Sequence, residues 1–185
     1  MKIVAVLGSP RPQGNSALMA QAFLEIAREQ GADAEVYRLN QMDIRGCQGC
    51  GQCKSDSEVC VVEDDLTPVY DSIRDAEILV LASPVYFGDL SAQLKCFWDR
   101  TFALVNPDFS TRLAPGKKSV MLLAQGAPAA EMFDDIHPRY ERWLKMFGFA
   151  ENYLVRALGV QGAGEVEGQP EILDQVRELA RQLVG

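Results

Sequence analysis

The chain has 185 residues, 48% of them hydrophobic and 24% charged, a composition typical of a folded globular protein and not of a disordered or fibrous chain. Its length fits one domain of ordinary size, and no apolar run approaches the roughly 20 residues of a membrane span, so we predict a cytoplasmic protein with no membrane partner. The net charge of −8, without a basic stripe, disfavours a nucleic-acid partner.

Short apolar runs alternate with longer amphipathic runs along the whole chain. The predicted strands are 2–8, 35–39, 77–82, 118–124 and 152–158, and the predicted helices are 15–30, 66–73, 91–104, 131–146 and 171–184. This alternation predicts a doubly wound, three-layer α/β fold of flavodoxin type, with five parallel strands in the order 2-1-3-4-5. We expect a single domain over residues 1–185, with a cysteine-rich insertion at about 46–61. Ligands of such sheets bind beyond the carboxyl ends of the strands, where the strand order reverses.

The loop after the first predicted strand, residues 8–16 (GSPRPQGNS), has residue types that suit an anion. Backbone N–H groups at a helix N-terminus and the helix dipole favour a phosphate, and Arg11 can add a bidentate contact. The spacing is that of neither a nucleoside-triphosphate loop nor a dinucleotide fingerprint, so we interpret it as a site for a lone terminal phosphate. An ordinary strand-to-helix turn, with Asn15 or Ser16 capping the helix, fits the same residues.

The segment after the second predicted strand contains four of the five cysteines in the spacing C-x2-C-x2-C-x6-C, namely Cys47, Cys50, Cys53 and Cys60. An odd cysteine count without a secretion signal disfavours a disulfide framework. The compact spacing favours a cubane iron–sulfur cluster over zinc, and Gly46, Gly49 and Gly51 supply the backbone angles that such a wrap needs. Free thiols and zinc are the alternatives. Cys96 lies in a helical pattern and is predicted to be a buried core residue.

Acidic residues are concentrated between positions 55 and 77, where Arg74 is the one basic residue. The eight acids are Asp56, Glu58, Glu63, Asp64, Asp65, Asp71, Asp75 and Glu77. We interpret this stretch as a solvated face, with docking of a basic partner as the alternative.

The loop after the third predicted strand, residues 83–91, combines aromatic side chains with a glycine. Tyr86 and Phe87 beside Gly88 offer the surface and the close backbone approach that a flat ring system needs. Packing between subunits is the alternative for these aromatic residues, and together with Trp98 and Phe102 they predict a homodimer or homotetramer. A monophosphate loop on the adjacent strand favours flavin mononucleotide (FMN) as the ligand.

These motifs, together with Leu94-Lys95, Phe97 and Asp99-Arg100, resemble the NADPH-dependent FMN reductase family. The resemblance implies a flavodoxin-like fold that binds FMN at these loops. The implied phosphate-binding residues are Ser9, Arg11, Asn15 and Ser16, next to Gly14 of the same motif, and the implied flavin-ring contacts are Pro84, Val85, Tyr86, Phe87 and Gly88. The loop after the fourth strand, with Gln125 and Gly126, is implied as a further contact. An exposed network of helical charges explains Lys95, Asp99 and Arg100 equally well.

The cysteine spacing and its position after the second strand resemble the iron–sulfur flavoproteins, a branch of the same family that carries a [4Fe–4S] cluster beside FMN. The resemblance implies that Cys47, Cys50, Cys53 and Cys60 ligate such a cluster. It implies an oxidoreductase that takes electrons from NAD(P)H and passes them to a small-molecule or protein acceptor, with or without the cluster. The alternative is an electron carrier that ferredoxin reduces. No catalytic acid or base is expected, because the flavin carries the redox chemistry.

Overall fold

The computed structural model describes residues 1–55 and 57–185, and Asp56 of the acidic stretch lies outside the described residues. The parallel strands are β1 (Lys2–Leu7), β2 (Asp33–Arg38), β3 (Ile78–Tyr86), β5 (Lys117–Ala124) and β6 (Phe149–Ala157), and the two-residue strand β4 (Asp89–Leu90) pairs antiparallel with the end of β3. The sheet order is β2-β1-β3-β5-β6. The predicted order of the parallel strands is therefore confirmed, and the structure adds the short antiparallel strand β4.

Among the described residues, five α-helices cover both faces of the sheet: α1 (Asn15–Glu29), α2 (Thr67–Asp75), α3 (Ala92–Arg100), α4 (Ile136–Met146) and α5 (Pro170–Val184). Helices α1 and α5 pack on one face, and α2, α3 and α4 pack on the other. Along β1, Ile3 and Ala5 face the first layer while Val4 and Val6 face the second, which explains why this strand is apolar throughout. In the described part of the chain, no helix is long and apolar enough to cross a membrane.

Three element boundaries differ from the prediction by four residues or more. Strand β3 runs on to Tyr86 because residues 83 and 84 still pair with β5, whereas the Ser-Pro pair was expected to end it at 82. Helix α4 begins at Ile136 and not at 131, since Phe133 just before it has a left-handed backbone (φ 63°). Helix α3 ends at Arg100, and a 3₁₀ turn continues the chain to Leu104.

Three side chains on α3 lie differently from the prediction. Trp98 is buried against Tyr140 and Phe147 and so adds no exposed apolar surface. Cys96 is half-buried and not a core residue. Arg100 is fully buried, although an exposed charge network was the other interpretation of this helix. The burial of these three side chains depends on which loops pack against α3. Helical periodicity does not encode that packing.

Candidate functional site

A cavity of about 400 Å³ opens beyond the carboxyl ends of β1, β3 and β5. Eight of the predicted cofactor-binding residues line it: Ser9, Arg11, Gly14, Asn15, Pro84, Val85, Tyr86 and Gly126. The lining residues that the sequence analysis did not identify include Phe133, Val160 and Gln161. The cavity lies where the strand order reverses, as expected for a ligand site of a doubly wound sheet.

One end of this cavity is the N-terminus of α1, which has the features of an anion site. The helix begins after Gly14, and no side chain in the described part of the chain caps it, so neither Asn15 nor Ser16 is the predicted cap. The Ser16 hydroxyl is buried and has no hydrogen-bond partner among the described residues. A side chain at Gly14 would place its Cβ 2.2 Å from Ser9 Oγ, so any other residue there would displace the Ser9 side chain. Free N–H groups and a buried hydroxyl are what a phosphate monoester requires.

Two residues of the phosphate-site prediction bind the loop after β6. The Asn15 amide donates to the carbonyl of Gly162 (2.8 Å), and its oxygen accepts from the N–H of Val166 (3.1 Å). Arg11 Nη1 donates to the carbonyl of Gln161 (2.9 Å). Both polar groups of Asn15 are therefore used to hold this loop against the cavity, a role that sequence reasoning missed.

The aromatic end of the cavity is built by the β3–β4 turn and by the loop before α4. Tyr86 lines the cavity, whereas Phe87 is fully exposed and, like Gly88, does not line it. Phe87 has a left-handed backbone (φ 49°), as Phe133 does. Backbone strain at two aromatic residues beside one cavity is typical of functional sites.

Gln125 is buried at the end of β5 and shapes the loop that follows. Its amide nitrogen donates to the carbonyls of Ala127 (3.1 Å), Ala129 (3.3 Å) and Met132 (3.3 Å). The Gln125 side chain does not line the cavity, unlike neighbouring Gly126. This loop leads directly to Phe133, so Gln125 determines the cavity wall indirectly.

Asp89 fixes the short strand β4 beside the aromatic turn. Its carboxylate accepts from the N–H of Leu90 (2.7 Å), the hydroxyl of Tyr140 (2.8 Å) and Arg139 (3.1 Å). Burial opposes ionisation, but these hydrogen bonds and the Arg139 charge outweigh it and lower the pKa of Asp89. Asp89 therefore stays ionised and anchors the turn to α4.

A second, smaller cavity of about 100 Å³ is lined by all four clustered cysteines, Cys47, Cys50, Cys53 and Cys60. Gly49 (φ 63°) and Gly51 (φ 71°) have left-handed backbones, as the wrap requires, whereas Gly46 does not and lies near Cys96 instead. Burial raises the pKa of the Cys53 thiol, and thiolate charge at the other three cysteines adds to this effect.

Across residues 1–55 and 57–185, no group of three or more His, Cys, Asp or Glu side chains is arranged to hold a single metal ion. Cys47, Cys50, Cys53 and Cys60 nevertheless line one small cavity, so the fold brings the four cysteines together. Four cysteines are the donor set that [4Fe–4S] centres use, with one thiolate for each iron.

Buried and half-buried cations attach the cysteine segment to the rest of the domain. The Arg100 guanidinium donates to the carbonyls of Arg45 (3.1 Å) and Val62 (2.7 Å) and pairs with Asp64. Burial opposes the charge of Arg100, but hydrogen bonding to Asp64 raises its pKa above the ordinary value. Lys54 donates to the carbonyls of Phe102 and Val105. Asp64 was predicted to belong to a solvated acidic face, so its burial is a correction.

Comparison with known proteins agrees with this geometry. The family profile described as NADPH-dependent FMN reductase matches residues 1–154. An iron-sulfur flavoprotein of Methanosarcina thermophila is 35% identical over 112 residues, which cover 60% of this chain and 58% of that protein. The matched stretches span between 45% and 58% of the length of the first three curated relatives.

Solved structures share the fold over the whole chain. An NAD(P)H:quinone oxidoreductase from Methanothermobacter marburgensis has a TM-score of 0.81 at 20% identity and covers 100% of this chain and 96% of its own. An FMN-dependent NADH-azoreductase from Bacillus anthracis, solved in complex with FMN, has a TM-score of 0.78 at 17% identity, with 100% of both chains covered. At these identities the likeness establishes the fold alone, and it confirms the flavodoxin-like prediction.

Proposed function

Because this chain belongs to the NADPH-dependent FMN reductase family, as its sequence motifs predict, we propose that it is an FMN-dependent oxidoreductase that takes electrons from NAD(P)H and passes them to a small-molecule or protein acceptor. The observation that carries this proposal is the cavity that joins the uncapped N-terminus of α1 to an apolar and aromatic wall. When bound, FMN supplies the redox chemistry, and the protein supplies binding and orientation.

Each part of the cavity has a separate task in this proposal. The first turn of α1, the buried Ser16 hydroxyl and Arg11 bind the phosphate. Pro84, Val85 and the Tyr86 ring contact the flavin ring and exclude water from it. Asn15 and Gln125 act indirectly, since their hydrogen bonds hold the loops that close the cavity.

Titration of the flavin-free protein with FMN tests the phosphate assignment. We expect Arg11→Ala and Ser16→Ala each to weaken FMN binding about tenfold or more, because a hydrogen bond to a charged group contributes about 1.5–3 kcal/mol. Gln13→Ala is the matched control, since Gln13 is exposed in the same loop, whereas Arg11 lines the cavity and the Ser16 hydroxyl, which lies outside the cavity lining, is buried without a partner among the described residues. Equal FMN affinity in all three variants would remove the phosphate site from this loop.

We further propose that Cys47, Cys50, Cys53 and Cys60 ligate one [4Fe–4S] cluster. Their shared cavity supports this proposal, as do curated relatives named iron-sulfur flavoproteins at 31–38% identity. A bound cluster supplies single-electron transfer. Exposure of Cys47 and Cys50 brings the edge of the site to the surface and favours the second candidate function, an electron carrier that exchanges electrons with a protein such as ferredoxin.

Anaerobic purification with iron and sulfide reconstitution tests the cluster. Cys50→Ala should abolish its broad visible absorption and spare the flavin bands, whereas Cys96→Ala, outside the cavity, should change neither. A flavin-only spectrum with four titratable thiols in the wild-type segment would contradict the cluster.

Reduction of the bound flavin distinguishes the two functions. The reductase function predicts flavin bleaching when NADH or NADPH is mixed with the protein. Bleaching by reduced ferredoxin, with no response to either nicotinamide, would identify a carrier.

A further inference from the structure

We propose that Arg100 is a positioning residue for the [4Fe–4S] cluster, joining the two ends of the cysteine segment (residues 45–62) and placing a buried positive charge beside its thiolates. This inference rests on the proposed cluster. It concerns a side chain that lies outside the cysteine motif, on α3, and that is not itself a ligand.

Arg100 bridges the two ends of the cysteine segment through hydrogen bonds. Its Nη1 donates to the carbonyl of Arg45, two positions before Cys47, and its Nη2 donates to the carbonyl of Val62, two positions after Cys60. A single planar guanidinium can hold two carbonyls in fixed directions, which an ammonium group does less well. One residue of the sheet-covering layer therefore contacts both ends of the segment, in addition to the hydrogen bond of the Arg45 N–H to Asp64.

The charge of this residue is buried beside the cysteine cavity. The side chains of Arg100 and Asp64 are 0% and 5% exposed, so the pair is withdrawn from water. Asp64 does not line the cysteine cavity, and its carboxylate also accepts from the N–H groups of Arg45 (2.9 Å) and Leu66 (3.0 Å). Arg100 does line the cavity, and its Nε is buried without a hydrogen-bond partner among the described residues.

A cation in this position favours the reduced form of a cluster. The cluster and its thiolates together are an anion, and uptake of one electron from an external reductant adds a further negative charge. A buried positive charge stabilises the more negative state more strongly, and so raises the reduction potential. The exposed acids of the 55–77 stretch act in the opposite direction, but water screens them.

The test measures the midpoint potential of the reconstituted cluster in the holoprotein. The cluster is titrated with dithionite, and its reduction is monitored by visible absorption and electron paramagnetic resonance. The variants are Arg100→Gln, Arg100→Lys and Asp64→Asn. The matched control is Arg112→Gln, because Arg112 also holds this segment, donating to the carbonyls of Glu58 (2.6 Å) and Ala103 (3.0 Å), but does not line the cavity. Iron and sulfide content and FMN affinity are measured on each protein.

We expect a more negative potential in Arg100→Gln and a more positive one in Asp64→Asn, which leaves the guanidinium uncompensated. Arg100→Lys should bind less iron, since an ammonium group holds the carbonyls of Arg45 and Val62 less well. Its potential should stay near that of the wild type, because the positive charge is kept. Arg112→Gln should not shift the potential. An unshifted Arg100→Gln, or an equal shift in Arg112→Gln, overturns the inference.

If Arg100→Gln does not fold, the potentials of Arg100→Lys and Asp64→Asn test the inference. An unshifted potential in Asp64→Asn, or an Arg100→Lys potential well below that of the wild type, overturns the inference. A wild-type protein that takes up no iron and sulfide refutes the cluster itself. A wild-type cluster whose potential is the same in every variant refutes the role of Arg100 alone.

Discussion

At the scale of single residues, Asn15 joins two loops that are far apart in sequence. It is 7% exposed, and both polar groups of its amide are satisfied by the backbone of the loop after β6. Asn15→Ala leaves a buried N–H and a carbonyl unpaired, so we expect the free energy of unfolding to fall by about 1–3 kcal/mol. Urea unfolding without FMN measures this change.

Gln13→Ala is the control for that experiment. The Gln13 side chain is exposed in the same loop, and its removal should change stability by no more than about 0.5 kcal/mol. An Asn15→Ala protein as stable as Gln13→Ala would show that Asn15 does not carry the contact between the loops.

Glu35 on β2 makes stability depend on pH. Hydrogen bonds from Ser72 (2.6 Å) and Tyr37 (2.8 Å), together with Lys2, lower its pKa from 4.5 to about 2. A pKa that is lower in the folded state contributes stability above the unfolded value of 4.5, and that stability is lost as the pH falls toward about 2. We expect Glu35→Gln to flatten the loss of stability over this range. If the urea midpoints of the wild type and of Glu35→Gln fall in parallel between pH 5 and 3, Glu35 is not the source of this pH dependence.

At the scale of elements, the loop between β5 and α4 depends on one amide. In Gln125→Glu, a carboxylate would face three carbonyl oxygens inside the protein, so we expect a loss of stability above about 2 kcal/mol and weaker FMN binding. Gln125→Leu removes the donors without adding charge, and its loss should be smaller. Equal urea midpoints in the two variants would show that loss of the three hydrogen bonds, and not the added charge, determines the loss of stability.

The sheet could be predicted from the sequence because each buried strand is apolar on both faces, as Ile3 and Val4 show. The lining of the cavity by residues of the first and third loops follows from the same topology, since parallel strands end at one edge. The pairing of Arg100 with Asp64 could not be predicted, because 36 positions separate them and each sits in an ordinary surface pattern. The loop after β6 was missed for a related reason: its hydrogen bonds to Arg11 and Asn15 use backbone carbonyls and an N–H group, which every sequence has.

At the scale of the whole molecule, several aromatic side chains remain exposed on a chain of this size. Their exposed fractions are 111% for Phe87, 54% for Phe109, 43% for Tyr86, 40% for Phe102 and 38% for Trp143. Phe102, Phe109 and Trp143 line one groove of about 440 Å³ that also includes Cys47. Monomers seldom expose contiguous apolar surface of this kind, so the groove is a candidate contact between identical subunits.

We therefore expect a homodimer or homotetramer, with a mass by light scattering at micromolar concentration that is a multiple of 20.4 kDa when FMN is bound. Replacing Phe109 and Trp143 together by Ser should shift the mass toward the monomer, because the groove loses two of its exposed rings. Met132→Ser is the matched control, since Met132 is 45% exposed but lies outside the groove. A wild-type monomer would contradict assembly, and an unchanged multiple in the double variant would place the contact elsewhere, with exposed Phe87 as the next position to replace.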